Sequence, residues 1–177
     1  MGTALIVTDM LNRYDHEDAE RLRESVRTII DPMRTLLDGA SEREMLTVYV
    51  NDNHGDWSAG RPELVQYALA GRDRDLVEPI VPAEDPAFIV KARHSVFYET
   101  QLDYLLRRSD ITRLIITGQV TEQCILYSAL DAYVRHYEVV VPRDAVAHIH
   151  PDLADAALQM MQRNMRATII SSTDALG

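Results

Sequence analysis

The chain has 177 residues, 46% of them hydrophobic, which suits one sizeable core and is too short for two comfortable domains, so we expect a single domain over residues 1–177. Its formal net charge of −10 argues against nucleic acid as a partner, because phosphate backbones require a basic surface. The sequence shows no stretch apolar enough to span a membrane, no leader before the first strand and only one cysteine, so we predict no membrane partner and a cytoplasmic location.

Strand-like and helix-like patterns alternate along the whole chain. In order, we predict a strand at Thr3–Thr8, an amphipathic helix at Asp18–Leu37 that Gly39 ends, a strand at Leu46–Val50, a loop at 51–56, a short helix at Pro62–Ala70 and an irregular stretch at Pro79–Pro86. The second half continues with a strand at Phe88–Val90, a helix at Thr100–Arg107, a strand at Ile111–Thr117, a helix from Cys124 to His136, a strand at Glu138–Val141, a helix at Asp152–Arg163 and a last strand at Ala167–Ser171. These βα units predict a doubly wound α/β sheet of about six mostly parallel strands with helices on both faces.

Three of the predicted strands deliver an ionisable side chain at or just beyond their ends. Asp9 and Lys91 each follow an apolar run directly, and Cys124 lies at a turn between a strand and a helix. The carboxyl ends of parallel strands line one crevice, so we expect the three residues to meet there. Backbone N–H groups and the helix dipole favour a thiolate at such a turn, which makes Cys124 a candidate nucleophile. Taken singly, each residue also has a structural explanation, as a small buried hydrophobe, a cap or a snorkelling lysine.

The segments around these residues resemble the isochorismatase-like cysteine hydrolase superfamily. They read IVTDMLN around Asp9, VKARHSVF around Lys91 and GQVTEQC ending at Cys124, in the family's order and at its distances. The resemblance implies a triad in which Asp9 is the general base, Lys91 keeps Asp9 ionised and oriented, and Cys124 attacks a carbonyl carbon. It also implies an oxyanion hole formed by the backbone amides of Val120 and Cys124, next to a cis Gln119–Val120 bond.

Five further residues near these motifs are candidates for substrate binding. Asn12 and Tyr14 follow the expected catalytic aspartate on what should be an active-site loop, and Trp57 lies beyond the second strand. His94 follows the expected catalytic lysine, and Gln119 places a bulkier side chain before the cysteine than is common in the family. A structural role is an equal alternative for Trp57, which can cover the core or an interface, and for His94, which can hydrogen-bond its own turn.

A metal site is weakly indicated. Asp52 and His54 resemble the first two metal ligands of the nicotinamidases in the superfamily, just past the second strand. The sequence has no further histidine between residues 55 and 93, and two protein ligands rarely hold zinc or iron. We therefore predict no metal and no cofactor.

The resemblance implies an amidohydrolase that cleaves a C–N bond of a small amide or carbamoyl substrate through a thioester, and a homodimer or homotetramer. Leu126, Leu130 and Val134 on one helix can form a subunit contact or face the sheet as core. Two other functions stay open: vinyl-ether hydrolysis of the isochorismatase type, which needs no thiol, and a non-catalytic, redox-sensing role for the cysteine. An acidic substrate would need a cationic clamp from Arg93 or Arg13.

Overall fold

The computed structural model describes residues 2–82 and 86–177, through which one parallel β-sheet runs. Its strands are β1 (Gly2–Thr8), β2 (Leu46–Asp52), β3 (Ala87–Lys91), β4 (Ile111–Gln119), β5 (Glu138–Pro142), β6 (Val146–Ala147) and β7 (Thr168–Ile170). Hydrogen-bonded neighbours follow the order β3-β2-β1-β4-β5-β7, and β6 pairs with the end of β4. All of these pairs are parallel. The predicted doubly wound α/β sheet of about six mostly parallel strands is confirmed.

Helices cover both faces of this sheet. They are α1 (Ala19–Glu42), α2 (Arg61–Leu69), α3 (Arg74–Val77), α4 (Leu102–Arg108), α5 (Leu126–Val134), α6 (Pro151–Asn164) and α7 (Ser172–Ala175). Alternate residues of β1 enter two separate cores: Leu5 and Val7 pack with residues of α1, whereas Ala4 and Ile6 pack with residues of α4, α5 and α6. Because both faces of the sheet are covered, β1 is apolar along nearly its whole length.

The first helix is longer than the sequence predicts. It continues through Gly39 to Glu42, so the expectation that this glycine ends the helix is wrong. An added Cβ at Gly39 would overlap the side chain of Leu176, which comes from the far end of the chain. The Arg43 guanidinium donates to the Gly39 carbonyl at 3.0 Å and satisfies one carbonyl of the last turn. The close packing against Leu176 explains why residue 39 is a glycine although the helix continues through it.

Three strands extend further towards the site than predicted. β2 runs to Asp52, β3 includes Lys91, and β4 runs to Gln119. Pairing between strands explains the extensions, because Asp52 is in register with Lys91 and Gln119 with Ala147. A strand end that is held by a neighbouring strand does not have to be apolar, and sequence patterns locate only the apolar part.

The sequence patterns predict β7 but none of the other elements of two to four residues. These are β6, α7, and α3 together with the 3₁₀ turn Glu78–Ile80 that follows it. The turn occupies the start of the stretch predicted as irregular, Pro79–Pro86, of which residues 83–85 lie outside the described residues. A hydrophobic period cannot be recognised in segments this short, and β7 is predicted only within the longer segment Ala167–Ser171.

The order of the strands reverses between β1 and β4. From β1 the chain proceeds to β2 and β3 on one side and then returns to the other side as β4. Open α/β sheets bind their ligands in the crevice at such a switch point, beyond the carboxyl ends of the strands. Asp9 directly follows β1, and Cys124 lies in the first turn after β4. Within the described ranges, no helix is both long and apolar enough to cross a bilayer.

Candidate active site

A glycine allows the two central strands to approach closely at the switch point. Gly118 in β4 has a φ of +113°, and a Cβ added there would overlap the carbonyl oxygen of Thr8 in β1. Only glycine tolerates both the positive φ and the close approach of another backbone at low energetic cost. The residue after Thr8, Asp9, has a φ of 55°, a left-handed conformation that non-glycine residues seldom adopt and that clusters at functional sites. The backbone thus bends away from the sheet where the aspartate enters the crevice.

Asp9, Lys91 and Cys124 converge in this crevice. The Lys91 ammonium lies 2.8 Å from Asp9 Oδ2 and 3.7 Å from Cys124 Sγ. Lys91 also donates to the Arg93 carbonyl at 3.0 Å, and its side chain is only 1% exposed. The other carboxylate oxygen, Asp9 Oδ1, accepts a hydrogen bond from the Asp52 backbone amide at 2.8 Å. Both carboxylate oxygens are therefore oriented by fixed donors.

The thiol of Cys124 is held in its protonated form. Burial raises its pKa, and the charge and hydrogen bond of Asp9 raise it further, whereas the Lys91 ammonium and a backbone hydrogen bond from Val120 lower it. Since the net pKa is raised, burial and Asp9 outweigh the preference of the turn for a thiolate, and Asp9 has a proton to accept from the thiol. Burial lowers the pKa of Lys91, but the charge and hydrogen bond of Asp9 outweigh this effect, so the net pKa of Lys91 is also raised. The site holds a protonated nucleophile beside an ammonium that is paired with a carboxylate.

The turn that carries the cysteine is tied to both neighbouring strands. Its Gln119–Val120 bond is cis, and a π-helical turn, Thr121–Ile125, leads into α5. The Thr121 hydroxyl donates to the Ala147 carbonyl at 2.9 Å, and the Gln119 side-chain amide donates to the Asp9 carbonyl at 2.6 Å. Together with the Val120 hydrogen bond to the sulfur, these contacts fix the backbone around the nucleophile.

A cavity of about 360 Å³ opens over the sulfur. A volume of this size accommodates a small molecule. Besides the three converging side chains, its lining includes several of the residues that the sequence singles out: Asn12, His94, Gln119 and Val120.

Two of the predicted substrate-binding residues lie outside this lining, contrary to the expectation for both. Tyr14 is only 2% exposed and packs behind Gln119, to whose Oε1 its hydroxyl donates at 3.5 Å. Burial raises the pKa of this phenol, so it stays neutral. Trp57 is 83% exposed and lines a neighbouring groove with Tyr98. Neither orientation has a local signal, because both depend on how distant segments pack.

Part of the remaining wall comes from residues that the sequence does not single out. His16, Asp18 and Leu22 around the start of α1 line the cavity, as do Gln123 and Ile149. Leu22 belongs to the apolar period of α1, which by itself indicates core. The polar residues His16 and Asp18 just before α1 were the one sequence signal that could have indicated this wall, although polar residues at that position are also typical of helix caps.

His94 contacts the nucleophile from the open side of the cavity. Its Nδ1 lies 3.7 Å from Cys124 Sγ, and its side chain is exposed. The imidazole lies 5.5 Å from the Tyr127 ring, tilted by 34°. The sulfur is thus in contact with both a buried ammonium and an exposed imidazole.

The aspartate and histidine that resemble metal ligands have other partners. His54 Nε2 lies 2.7 Å from the Leu11 carbonyl, so this nitrogen must carry the proton, and the ring stacks on Tyr67 with centroids 4.8 Å apart. Asp52 Oδ1 accepts from the His54 backbone amide at 2.8 Å. In the part of the chain that the structure describes, no three His, Cys, Asp or Glu side chains are grouped to hold a metal. These residues do not fit the donor set of a stable zinc or iron centre.

The two arginines considered as a clamp for an acidic substrate lie in different places. Arg93 lines the cavity. Arg13 stacks over the Tyr67 ring at 5.1 Å from its centroid, pairs with Asp15 at 3.5 Å and lies outside the lining. Only Arg93 is therefore positioned to meet a bound molecule.

Comparisons with known proteins agree on one family. The family model described as Isochorismatase domain matches residues 3–174. The chain is 32% identical over 166 residues to the uncharacterized isochorismatase family protein YaaI of Bacillus subtilis, which covers 94% of this chain and 92% of YaaI. It is 30% identical over 182 residues to the ureidoacrylate amidohydrolase RutB of Klebsiella pneumoniae, covering 88% of this chain and 77% of RutB. The crystal structure of nicotinamidase PncA from Bacillus subtilis superposes with a TM-score of 0.71 and 26% identity, over 97% of this chain and 100% of that one.

Proposed function

Because this chain belongs to the isochorismatase family and is a hydrolase of that class, we propose that it cleaves the C–N bond of a small amide or carbamoyl compound through a thioester on Cys124. The observation that carries the proposal is the position of Cys124 Sγ, 3.7 Å from the Lys91 ammonium, which itself pairs with Asp9 at 2.8 Å. A nucleophile, a base and an orienting cation in contact are the minimum set for covalent amide hydrolysis.

Acylation begins with transfer of the thiol proton. Asp9 accepts the proton of Cys124 while Sγ bonds to the carbonyl carbon, so the thiolate forms only as it attacks. This order suits the raised pKa of the thiol, since a resting thiolate is not needed. Lys91 remains protonated throughout and balances the charge that passes between sulfur and carboxylate.

The carbonyl oxygen of the substrate becomes negative as the tetrahedral intermediate forms. The backbone amides of Val120 and Cys124 stabilise this oxygen, a role supported by the position of both residues in the cavity lining. Collapse of the intermediate breaks the C–N bond, and protonated Asp9 returns its proton to the departing nitrogen. Water then hydrolyses the thioester.

The lining of the cavity favours uncharged or cationic substrates. Three aspartates, Asp9, Asp18 and Asp52, line it against two basic side chains, Lys91 and Arg93. Since Lys91 is paired with Asp9, Arg93 is the permanent cation left for an anionic substrate, which would face two carboxylates, Asp18 and Asp52, beside the histidines of the lining. We infer that the natural substrate lacks a carboxylate, unlike a ureido acid.

Two other functions are less well supported by the site. Vinyl-ether hydrolysis needs no thiol, whereas this chain has Cys124 in contact with the Asp9–Lys91 pair. Redox sensors use accessible cysteines of low pKa, whereas Cys124 is buried and burial raises its pKa.

We also propose that the chain forms a homodimer or homotetramer through α5 and is cytoplasmic. Leu130 and Val134 are exposed on this helix, while Leu126 packs against the core. A catalytic free thiol favours a reducing compartment. The one continuous sheet supports the prediction of a single domain over residues 1–177.

The decisive experiment is ammonia release from a panel of small neutral, cationic and anionic amides, with Cys124→Ala as the blank. We expect turnover of at least one neutral or cationic amide by the wild type and none by the variant. Equal turnover by both proteins would refute the thioester mechanism, and a clear preference for carboxylate-bearing amides would refute the inferred substrate charge.

A further inference from the structure

The position of His94 suggests that the two halves of the reaction use different bases. We propose that His94 is a second catalytic residue, which activates the water that hydrolyses the Cys124 thioester and then returns a proton to the sulfur. This inference rests on the proposed thioester function. It assigns Asp9 to acylation and His94 to deacylation.

The geometry around the sulfur separates the two bases. His94 Nδ1 and Lys91 Nζ each lie 3.7 Å from Sγ, but the Lys91 side chain is 1% exposed and His94 is exposed. His94 lines the cavity, is exposed and contacts the sulfur, so its ring can meet both solvent water and an acyl group on Sγ. A general base must lie within reach of its proton, directly or through one water, and His94 meets this condition.

The imidazole is also supported in place. Its ring packs against Tyr127 at 5.5 Å, and its backbone follows Arg93, whose carbonyl accepts from Lys91 at 3.0 Å. The segment that carries His94 is therefore tied to the buried lysine. An imidazole has one nitrogen that can accept a proton and return it within one cycle.

The step balances without any additional reactant. Water gives a proton to Nδ1 of neutral His94, and the oxygen bonds to the thioester carbonyl carbon. The C–S bond then breaks with its electron pair on Sγ, and the imidazolium returns the proton to the thiolate. The product acid leaves, and Cys124 is again the protonated thiol that the next acylation requires.

The test follows deacylation directly, so it does not depend on which step limits turnover. The full chain is acetylated with p-nitrophenyl acetate, excess reagent is removed, and loss of the acetyl group from Cys124 is followed by intact-protein mass spectrometry. In His94→Gln we expect acetylation within a few-fold of the wild-type rate and acetyl loss about a hundredfold slower. His136→Gln, the same change at an exposed histidine outside the cavity, is the matched control and should leave both rates unchanged.

Chemical rescue separates proton transfer from a structural role. In His94→Ala, added imidazole should restore a concentration-dependent part of the lost deacylation rate. Acetyl loss in His94→Gln within about threefold of wild type, or no rescue of His94→Ala by imidazole, would overturn the role of His94 while leaving the thioester proposal intact. Failure of the wild-type chain to acetylate at Cys124 would instead overturn the proposed function, and this inference with it.

Discussion

Replacing Asp9 by asparagine should separate the reactivity of the thiol from its catalytic use. In the wild type, the charge and hydrogen bond of Asp9 raise the pKa of Cys124, in opposition to the Lys91 ammonium. Asp9→Asn removes the negative charge and leaves Lys91, 3.7 Å from the sulfur, with no carboxylate of Asp9 to pair with. We therefore expect a larger thiolate fraction, faster alkylation and a loss of amide turnover in the same protein.

The magnitude follows from the distance between the two charges. At an effective dielectric constant of about 20, unit charges 3.7 Å apart attract by about 4 kcal/mol, which is about a thousandfold in the ratio of thiolate to thiol. In the wild type, the negative charge of Asp9 offsets the attraction between the Lys91 ammonium and the Cys124 thiolate. In Asp9→Asn this opposing charge is gone, so part of the attraction stabilises the thiolate. Water that enters beside the asparagine screens the pair, so we expect alkylation by iodoacetamide at about pH 8 to accelerate at least about tenfold.

The assay is the alkylation rate of Cys124 across pH, followed by mass spectrometry, with far-UV circular dichroism as a check on folding. Lys91→Met is the opposing control, because it removes the attraction and should slow alkylation below the wild-type rate. Amide turnover by Asp9→Asn should fall at least about a hundredfold, since the general base is gone. Alkylation of Asp9→Asn that is slower than wild type would refute the electrostatic reasoning, and amide turnover near the wild-type level would refute the role of Asp9 as base.

Four further outcomes are expected. Cys124→Ala should reduce amide turnover about ten-thousandfold or more with little change in melting temperature, and residual wild-type activity would exclude the nucleophile. Gly118→Ala should lower the free energy of unfolding in urea by about 3 kcal/mol because of its overlap with Thr8, whereas Gly55→Ala, with a φ of +83° but open space around it, should cost about 1 kcal/mol; equal costs would contradict the close-approach argument. Turnover should survive chelation, because His54 Nε2 is committed to the Leu11 carbonyl, and a stoichiometric metal whose removal abolishes activity would contradict this. Sedimentation should show a mass above the 20.1 kDa of one chain that Leu130→Glu reduces, and a wild-type monomer at micromolar concentration would exclude the proposed contact.

The sequence by itself determined the sheet class and the residues that enter the crevice. Apolar runs that end in a charge are visible locally, because a strand buried on both faces is apolar until it reaches the edge of the sheet. Asp9 and Lys91 mark two such edges, and Cys124 follows a third strand in a segment that resembles the family. With the family resemblance, these positions were enough to predict which side chains converge.

Tertiary structure alone decided how those side chains are used. The protonated state of Cys124 depends on burial and on Asp9, which lies on a different strand, and these outweigh the preference of the local turn for a thiolate. Tyr14 follows the active-site aspartate closely but packs behind Gln119, and Leu22 has a core period but lines the cavity. Side-chain orientation, the wall of a cavity and the pKa of a buried group arise from contacts between distant segments, and a hydrophobic period reports only which residues avoid water.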